Sequence, residues 1–532
     1  MERLRNLITK HPKWACFLAG VGTSFAFATH PIFPALALIG VLLILINGDI
    51  TPKRAGFYTF LYAMGLFTAG LYWVQNALGI TLPPALQLVR LFILFGLPLL
   101  LTPLWVLAAN LSVRFTNAGT LARSVLFITL LAAAEYGRAF FLTGFPWNLF
   151  AYALADINPL IQVSALGGVF FLNTLTLFWA AAPTIIWIHR DYKKLVGGLA
   201  IGSLVLCLGY GIARLQSNPA EFSDDTGVVV VQPNVDQKEK WKSEKLRDIF
   251  YKHITLSENG LKEAEAKFPE SMKSVAVLWP ETAISDFLVF TEKEALTQIV
   301  KVMQDRRFKV PLITGLMREE GGDEEGRGAT YYNSITALSQ TNNALSMDDI
   351  YDKAHLVPFG EYMPMETYLS ENYGIKPITG FIGFRAGGYG PKVLHAPNIP
   401  AFAALVCYET IFPWSIQAHD DKGDAQWIVN VSNDGWYGNT SGPHQHLAMT
   451  RFRAVEQGLP VLRSTSTGIS AVIDSYGRVL QSLDYGVDGY ILSALPKVAA
   501  SQPPYRSWHE TLFFTLIFLG LVLTVRLKRK RA

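Results

Sequence analysis

The sequence predicts an α/β domain attached to a bundle of about eight membrane-spanning helices. Half of its 532 residues are hydrophobic and only 17% are charged, which is typical of a protein with a large membrane part. The hydrophobic residues crowd into the first 215 positions and the last 25. Between these regions strand-like and helix-like segments alternate, as in an α/β domain. The chain also exceeds the size of a single core, so at least two domains are expected.

Membrane-spanning helices are predicted where an apolar run approaches the roughly 20 residues that a bilayer requires. Seven runs precede residue 215 and an eighth lies near the C terminus. They cover residues 14–29, 32–46, 56–76, 91–113, 125–142, 160–188, 195–213 and 511–525. The first two runs are short for a full span.

The basic residues of the loops predict the orientation of these helices, because cytoplasmic loops are enriched in Lys and Arg. The basic residues fall in alternate loops and in the C-terminal tail, and Arg90 is the one exception. The loops contain Lys53 and Arg54, Arg114 and Arg123, and Arg190, Lys193 and Lys194, and the tail covers residues 526–531. We therefore predict transmembrane helices 1–7 in residues 1–215, an outward-facing folded domain in 216–505, and a last helix with a basic cytoplasmic tail in 506–532. The net charge of +4 is small and does not indicate nucleic-acid binding.

The sequence of residues 216–505 predicts seven strands and three helices. Apolar or β-branched runs of strand length cover residues 227–232, 275–279, 311–317, 330–338, 401–406, 427–431 and 469–474. Helical stretches lie near residues 242–267, 293–305 and 444–457. Strands that are apolar along their whole length predict burial on both faces of a sheet.

The strand at 401–406 ends at Cys407, the single cysteine of residues 216–505. Cys16 and Cys207 lie in predicted membrane spans, so the outer domain cannot form an internal disulfide. An unpaired thiol in an oxidising compartment favours a chemical role. The alternative is a buried cysteine that packs as a small hydrophobic side chain. The end of a core strand suits a nucleophile, because the scaffold holds it rigidly.

Two other strand ends carry ionisable residues. Glu281 follows the run at 275–279, and Lys353 follows a strand-forming region that ends near Tyr351. Each has a plainer interpretation, since Glu281 could begin a helix and Lys353 could be a solvated loop residue. Together with Cys407 they predict covalent catalysis at a carbonyl, with Glu281 as the base that activates the thiol and Lys353 as a partner of the oxyanion.

The histidines predict no metal site. His444 and His446 lie two positions apart at a helix start, which indicates capping or surface positions rather than shared metal ligation. No cofactor is predicted either.

Five motifs carry a family resemblance. WPETA around Glu281, DKAHLVPFGEYMP around Lys353 and Glu361, CYE at Cys407 and SNDGWYG from Ser432 resemble the Glu-Lys-Cys signature of the carbon-nitrogen hydrolase, or nitrilase, superfamily. GFPWN from Gly144, with membrane spans on both sides of the domain, is similar to its apolipoprotein N-acyltransferase branch. The resemblance covers essentially the whole chain.

The resemblance implies an αββα sandwich on the periplasmic side of a bacterial inner membrane. It implies that a cysteine takes the sn-1 acyl chain of a phospholipid and passes it to the α-amino group of a diacylglyceryl apolipoprotein. Carried over by motif, Cys407 is the nucleophile, Glu281 the base and Lys353 the oxyanion partner. Glu361 supports the lysine, and the remaining matched positions are Tyr408, Glu409, Asn333 and Trp241.

Further features agree with a lipid donor. Residues 363–384 mix apolar side chains with glycines, which predicts a mobile lid at the membrane surface; an ordinary buried loop is the alternative. Glu135 and Arg138 lie three apart in a predicted span, which predicts a structural ion pair first and a lipid-headgroup contact second.

The enzyme is expected to be monomeric. The rival functions are a membrane-anchored amidase that gives the acyl group to water, and a non-catalytic scaffold or transporter.

Overall fold

The structure, a computed structural model, describes residues 2–29, 31–81, 84–284, 293–321, 329–341, 344–362, 383–388, 390, 392–416 and 419–529. The chain divides into two compact units. We call Met1–Gln75, Leu88–Asn218 and Gln502–Ala532 the helical unit. We call Asn76–Gln87 and Pro219–Ser501 the α/β unit.

Helices dominate the first 216 residues and the C terminus. In the first region they are α1 (Glu2–Lys10), α2 (Pro12–Ser24), α3 (Gly40–Ile46), α4 (Pro52–Gly70), α5 (Gln75–Thr81), α6 (Arg90–Leu101), α7 (Pro103–Phe115), α8 (Leu121–Arg138), α9 (Asn158–Ile161), α10 (Ser164–Ile188) and α11 (Lys193–Gln216). Helices α12 (Ser243–Lys267), α13 (Lys293–Met303) and α14 (Ser441–Gln457) belong to the α/β unit, and α15 (Tyr505–Trp508) and α16 (Thr511–Arg529) end the chain.

Four stretches among the described residues are long and apolar enough to cross a membrane: Gln87–Phe115, Ser164–Ile188, Arg190–Gln216 and Thr511–Arg529. The pair Pro52–Gly70 and Tyr72–Ile80, bent by 55°, is a fifth if it counts as one span. These stretches overlap five of the predicted spans. The predicted span at 125–142 falls on α8, which carries Arg123, Glu135 and Arg138 and is therefore less apolar. The eight-span topology stays a prediction.

The predicted ion pair in α8 is confirmed. Nη2 of Arg138 lies 2.7 Å from Oε2 of Glu135, and both side chains are buried in the helical unit. Nε1 of Trp105, in α7, donates to the other carboxylate oxygen at 2.5 Å. Because a buried charge is tolerated only when it is paired, these contacts indicate a structural role.

The α/β unit contains two six-stranded sheets. One has the order β14-β1-β2-β3-β4-β5 and the other β13-β12-β11-β10-β7-β6. The strands are β1 (Phe222–Gln232), β2 (Ser274–Leu278), β3 (Leu312–Glu320), β4 (Thr330–Thr341), β5 (Ala344–Asp352), β6 (Val393–Leu394), β7 (Phe402–Val406), β10 (Trp427–Ser432), β11 (Val461–Thr465), β12 (Ser470–Ile473), β13 (Val479–Leu483) and β14 (Gly489–Pro496), with a separate hairpin of β8 (His419–Asp420) and β9 (Gly423–Asp424).

The two sheets pack face to face between helices, which confirms the predicted αββα sandwich. In β1, Val228 and Val230 join the core between the sheets, whereas Val229 and Val231 pack with residues of α12. Strand β7 is likewise buried on both faces. Successive side chains of a strand point to opposite faces, so an unbroken apolar run is what a middle layer requires.

The central strands of both sheets run in parallel, and this brings chemistry to one edge of each. β2 pairs in parallel with β1 and β3, and β10 pairs in parallel with β7 and β11. Glu281 lies shortly after β2 and Cys407 directly after β7, and both are among the three residues that the sequence predicts to be catalytic. In such sheets the carboxyl ends of the strands are where sites form.

Several strands lie outside the predicted set, and β11 explains why. It contains Arg463, a charge that argues against a core strand, yet this arginine is fully buried. Its guanidinium is paired with Asp434, which follows β10. Sequence pattern alone does not reveal such a partner. Strand β13 was missed for another reason, because its exposed edge position gives no apolar pattern.

Candidate active site

Cys407 lies at the carboxyl end of β7 and begins a short 3-10 turn, Cys407–Ile411. Its φ is +49°, in the left-handed region that residues with a side chain rarely adopt. The side chain is 6% exposed, and its sulfur is hydrogen-bonded to the backbone of Asn433, just after β10. Strained turns of this kind cluster at functional sites, because the surrounding structure must hold them.

Glu281 lies three positions beyond the end of β2 and is also buried. Its Oε1 accepts a hydrogen bond from Nδ2 of Asn333 at 2.7 Å and lies 3.9 Å from Nζ of Lys353. Burial raises the pKa of the Glu281 carboxyl, and the ammonium of Lys353 opposes that rise. A carboxyl group with a raised pKa is suited to accept and return a proton near neutral pH.

Lys353 immediately follows β5 and is 1% exposed. Its Nζ lies 2.9 and 2.8 Å from the two carboxylate oxygens of Glu361. Burial alone would lower the pKa of Lys353, but the carboxylates of Glu361 and Glu281 outweigh burial and the pKa is raised. The ammonium therefore stays charged within the buried site.

Asn333, in β4, links the two carboxylates. Its Nδ2 lies 2.7 Å from Oε1 of Glu281 and 2.9 Å from Oε1 of Glu361, which uses both N–H donors of the amide. The other oxygen of Glu361 accepts the backbone N–H of Val357 at 2.8 Å. One amide and one ammonium therefore hold both carboxylates in place.

Glu409 connects the turn of the thiol to the loop of the lysine. One carboxylate oxygen accepts the backbone N–H of Val406 at 2.9 Å, directly before Cys407. The other accepts the N–H of Ala354 at 2.9 Å, directly after Lys353, and the hydroxyl of Tyr351 at 2.5 Å. Because a single buried carboxylate receives donors from both segments, it fixes their separation.

The other two predicted residues have different surroundings. Tyr408 is buried, and its ring centroid lies 5.7 Å from that of His355 and 5.1 Å from that of Phe412. Trp241 is half-buried, and its ring centroid lies 5.8 Å from Nζ of Lys240. Direct hydrogen bonds or ion contacts thus join Glu281, Lys353, Asn333 and Glu361, while Tyr408 and Trp241 lie in adjoining segments.

A buried Asp-His-Arg group beside Cys407 was missed by sequence analysis. Oδ1 of Asp434 lies 2.9 Å from Nδ1 of His446, and Oδ2 lies 2.7 Å from Nη2 of Arg463. Burial opposes ionisation of Asp434, but Arg463 and His446 hold its pKa down at about 2. The ring of His446 is also hydrogen-bonded to the backbone of Cys407. The interpretation of His446 as a capping or surface residue is therefore wrong; its partners come from distant segments.

The electrostatics of the thiol show that it needs a base. Burial raises the pKa of Cys407 to about 12, the carboxylate of Glu281 adds to the rise, and Lys353 opposes it. The thiol is therefore protonated near neutral pH, and any reaction of this sulfur as a nucleophile would require a base to remove its proton. Among the described residues, no cluster of His, Cys, Asp and Glu could hold a metal ion.

Most of the predicted lid, residues 363–384, lies outside the described residues. Its far end is described: the N–H of Phe384 donates to the carbonyl of Glu361 at 2.8 Å, and the N–H of Arg385 donates to that of Tyr331 at 2.9 Å. This end is therefore hydrogen-bonded to the backbone of the residue that pairs with Lys353.

Gly387, which packs against the backbone at Lys353, allows a first prediction. The N–H of Gly387 donates to the carbonyl of Lys353 at 2.8 Å, and a Cβ on Gly387 would lie 2.2 Å from the carbonyl oxygen of Asp352. Gly387→Ala must therefore displace Lys353, and we expect kcat/KM to fall about 100-fold, since small displacements of catalytic groups have effects of that size. Steady-state kinetics of the purified variant measures this.

The neighbouring glycine is a matched control. A Cβ on Gly388 would meet nothing within 4 Å, so Gly388→Ala should keep the activity of the unmodified protein. Equal activity of the two variants would contradict the tight placement of Lys353.

Comparisons with known proteins identify the family of this chain. Residues 229–503 match the carbon-nitrogen hydrolase family, and residues 19–182 match the apolipoprotein N-acyltransferase N-terminal domain. An amidase of known structure from Nesterenkonia sp. aligns with 53% of this chain and 94% of its own at 18% identity and a TM-score of 0.33. The family assignment rests on the sequence matches and not on that alignment.

Relatives extend the match to nearly the whole chain. It is 34% identical to the apolipoprotein N-acyltransferase of Agrobacterium fabrum over 99% of this chain and 98% of the relative. It is 34% identical to that of Brucella melitensis biotype 1 over 96% of each. The chain therefore belongs to the apolipoprotein N-acyltransferase family, whose members are acyltransferases of the carbon-nitrogen hydrolase superfamily.

Proposed function

We propose that this protein transfers an acyl chain from a phospholipid to the α-amino group of the N-terminal S-diacylglyceryl cysteine of apolipoproteins, through a thioester on Cys407. Family membership supports lipoprotein N-acylation as the general activity. The finer proposal rests on one observation: the ends of three strands carry a buried thiol, carboxylate and ammonium, the last two lie 3.9 Å apart, and both act on the pKa of the thiol. This is the set of groups that covalent acyl transfer requires.

In the first half-reaction, Cys407 attacks the sn-1 ester carbonyl of the phospholipid. Glu281 accepts the thiol proton as the carbon–sulfur bond forms, and Lys353 stabilises the negative oxygen of the tetrahedral intermediate. The ester carbon–oxygen bond then breaks, and Glu281 returns the proton to the leaving alkoxide. A lysophospholipid departs and the acyl chain stays on sulfur.

In the second half-reaction, the neutral α-amino group of the diacylglyceryl cysteine attacks the thioester. Glu281 takes a proton from the attacking nitrogen, and Lys353 again faces the developing oxyanion. The carbon–sulfur bond breaks, an amide forms, and the thiolate regains a proton. Asn333 and Glu361 position both charged groups throughout, since they contact the carboxylate and the ammonium respectively.

A lipid donor requires a membrane setting. The candidate spans and the family support a membrane protein. We propose the bacterial inner membrane as its location, with residues 216–505 on the periplasmic side and the helices of 1–215 and 506–532 as its anchor. We further propose that one chain suffices for activity, because all three catalytic groups come from one α/β unit.

The thioester is the intermediate to capture. Protein carrying Cys16→Ala and Cys207→Ala, so that Cys407 is its only thiol, is incubated in detergent with phospholipid and no acceptor. We expect intact-mass spectrometry to find one added acyl chain on Cys407, because transfer stops after the first half-reaction. Neutral hydroxylamine should remove the chain, and a diacylglyceryl peptide should accept it.

Product analysis separates transfer from hydrolysis. A membrane-anchored amidase would release free fatty acid at the same rate with or without the peptide. Active protein with no acyl adduct, or steady release of fatty acid without acceptor, would contradict the proposed route.

A further inference from the structure

Lys240 is a buried cation for which the proposed reaction has no role. It lies between β1 and α12 and is 3% exposed. Its Nζ donates to the backbone carbonyl of Glu281 at 2.9 Å. Hydrogen bonds from a charged donor are roughly twice as strong as neutral ones, so this contact restrains the main chain of the proposed base.

Strand β3 also holds the Glu281 segment. The N–H of Gly315 donates to the carbonyl of Pro280 at 3.2 Å, and a Cβ on Gly315 would lie 2.7 Å from Cα of Glu281. Directly after Glu281, Thr282 has a φ of +46°. This left-handed conformation is costly for a residue with a side chain, so the surrounding contacts are needed to keep it.

Burying a charged lysine in order to hold a carbonyl costs free energy. Burial lowers the pKa of Lys240 to about 8, although Glu281 and Cys407 both favour its charged form. A neutral amide could donate the same hydrogen bond without the cost of burying a charge. The charge is therefore better explained by its neighbours, the proposed base and the proposed nucleophile.

We propose that Lys240 is a positioning residue for the catalytic base. Its ammonium holds the main chain of Glu281, so that the carboxylate stays on Asn333 and within reach of Lys353 and the thiol. This inference rests on the proposed function, in which Glu281 deprotonates Cys407.

The first test uses Lys240→Met in the full-length protein. We expect kcat/KM to fall about 100-fold, as for other displacements of a catalytic group. Alkylation of Cys407 by iodoacetamide at neutral pH should slow in parallel, because it depends on the same base. Lys240→Arg should recover part of both rates, since it keeps a charged donor. Lys238→Met, an exposed lysine two positions earlier, is the matched control and should behave as unmodified protein.

A double-mutant cycle separates positioning from general stability. If Lys240 acts through Glu281, then Lys240→Met combined with Glu281→Gln should be no slower than Glu281→Gln alone. Losses that multiply would overturn the inference. Lys240→Gln, which keeps an N–H donor, replaces methionine in the cycle if Lys240→Met does not fold.

The single variants show which proposal has failed. Full activity of Glu281→Gln would overturn the proposed function itself. A slow Glu281→Gln together with a fully active Lys240→Met would overturn only the role of Lys240.

Discussion

Cys407→Ala is expected to abolish acyl transfer and leave a folded, membrane-inserted protein. Removing a covalent nucleophile lowers rates by on the order of 10⁶-fold, because the base and the oxyanion partner then have no attacking atom. The fold should survive, since alanine meets the φ of +49° at this position no worse than cysteine does. Transfer of a labelled acyl chain from phospholipid to a diacylglyceryl peptide measures the loss.

Two further variants complete this experiment. Cys407→Ser should also be inactive, because a serine hydroxyl is far harder to deprotonate in this buried position than a thiol. Cys207→Ala, in the helical unit, is the matched control and should retain activity. Undiminished transfer by both Cys407 variants would refute the covalent route.

Lys353→Met is expected to damage both stability and catalysis. Without the ammonium, the buried carboxylates of Glu281 and Glu361 lose the cation that lies 3.9 Å and 2.8 Å from their respective oxygens. Breaking a buried ion pair costs about 3–5 kcal/mol of unfolding free energy. Loss of an oxyanion partner adds a fall of about 10²–10³-fold in kcat. Urea unfolding of the purified protein in detergent and steady-state kinetics measure the two effects.

A second substitution separates the two effects. Glu361→Gln combined with Lys353→Met removes one of the stranded charges, so it should recover part of the stability but none of the activity. Lys392→Met breaks an exposed pair with Asp349 and is the control, since surface pairs contribute about 0–1 kcal/mol. Unchanged stability of Lys353→Met would contradict the pairing seen here.

The main elements of the fold could be predicted because each leaves a local pattern. The apolar run before Cys407 predicts β7, and the structure buries that strand on both faces. The predicted helices at 242–267 and 444–457 appear as α12 and α14. Strand β11 could not be predicted, because Arg463 is compatible with a core only when it is paired, and its partner Asp434 comes from the segment after β10.

The candidate site also contains residues that the sequence could identify and residues that it could not. Glu281, Lys353 and Cys407 were identifiable because each follows a strand, and the ends of strands are where α/β proteins form their sites. Lys240 and His446 were not, because a lysine between two exposed lysines and a histidine near a helix start have ordinary local explanations. Their importance comes from the residues they contact, which are 41 and 12 positions away in the chain.

By itself, the sequence determined the class of the protein and identified Cys407 as the proposed nucleophile, because hydropathy, strand length and motif spacing are properties of neighbouring residues. Only the tertiary structure decided how that chemistry is supported. It places Asn333 between two carboxylates, joins the thiol turn to the lysine loop through Glu409, and brings Lys240 to the backbone of Glu281. These contacts depend on the packing of segments far apart in the chain, and a buried charge becomes stable only where such packing supplies its partner.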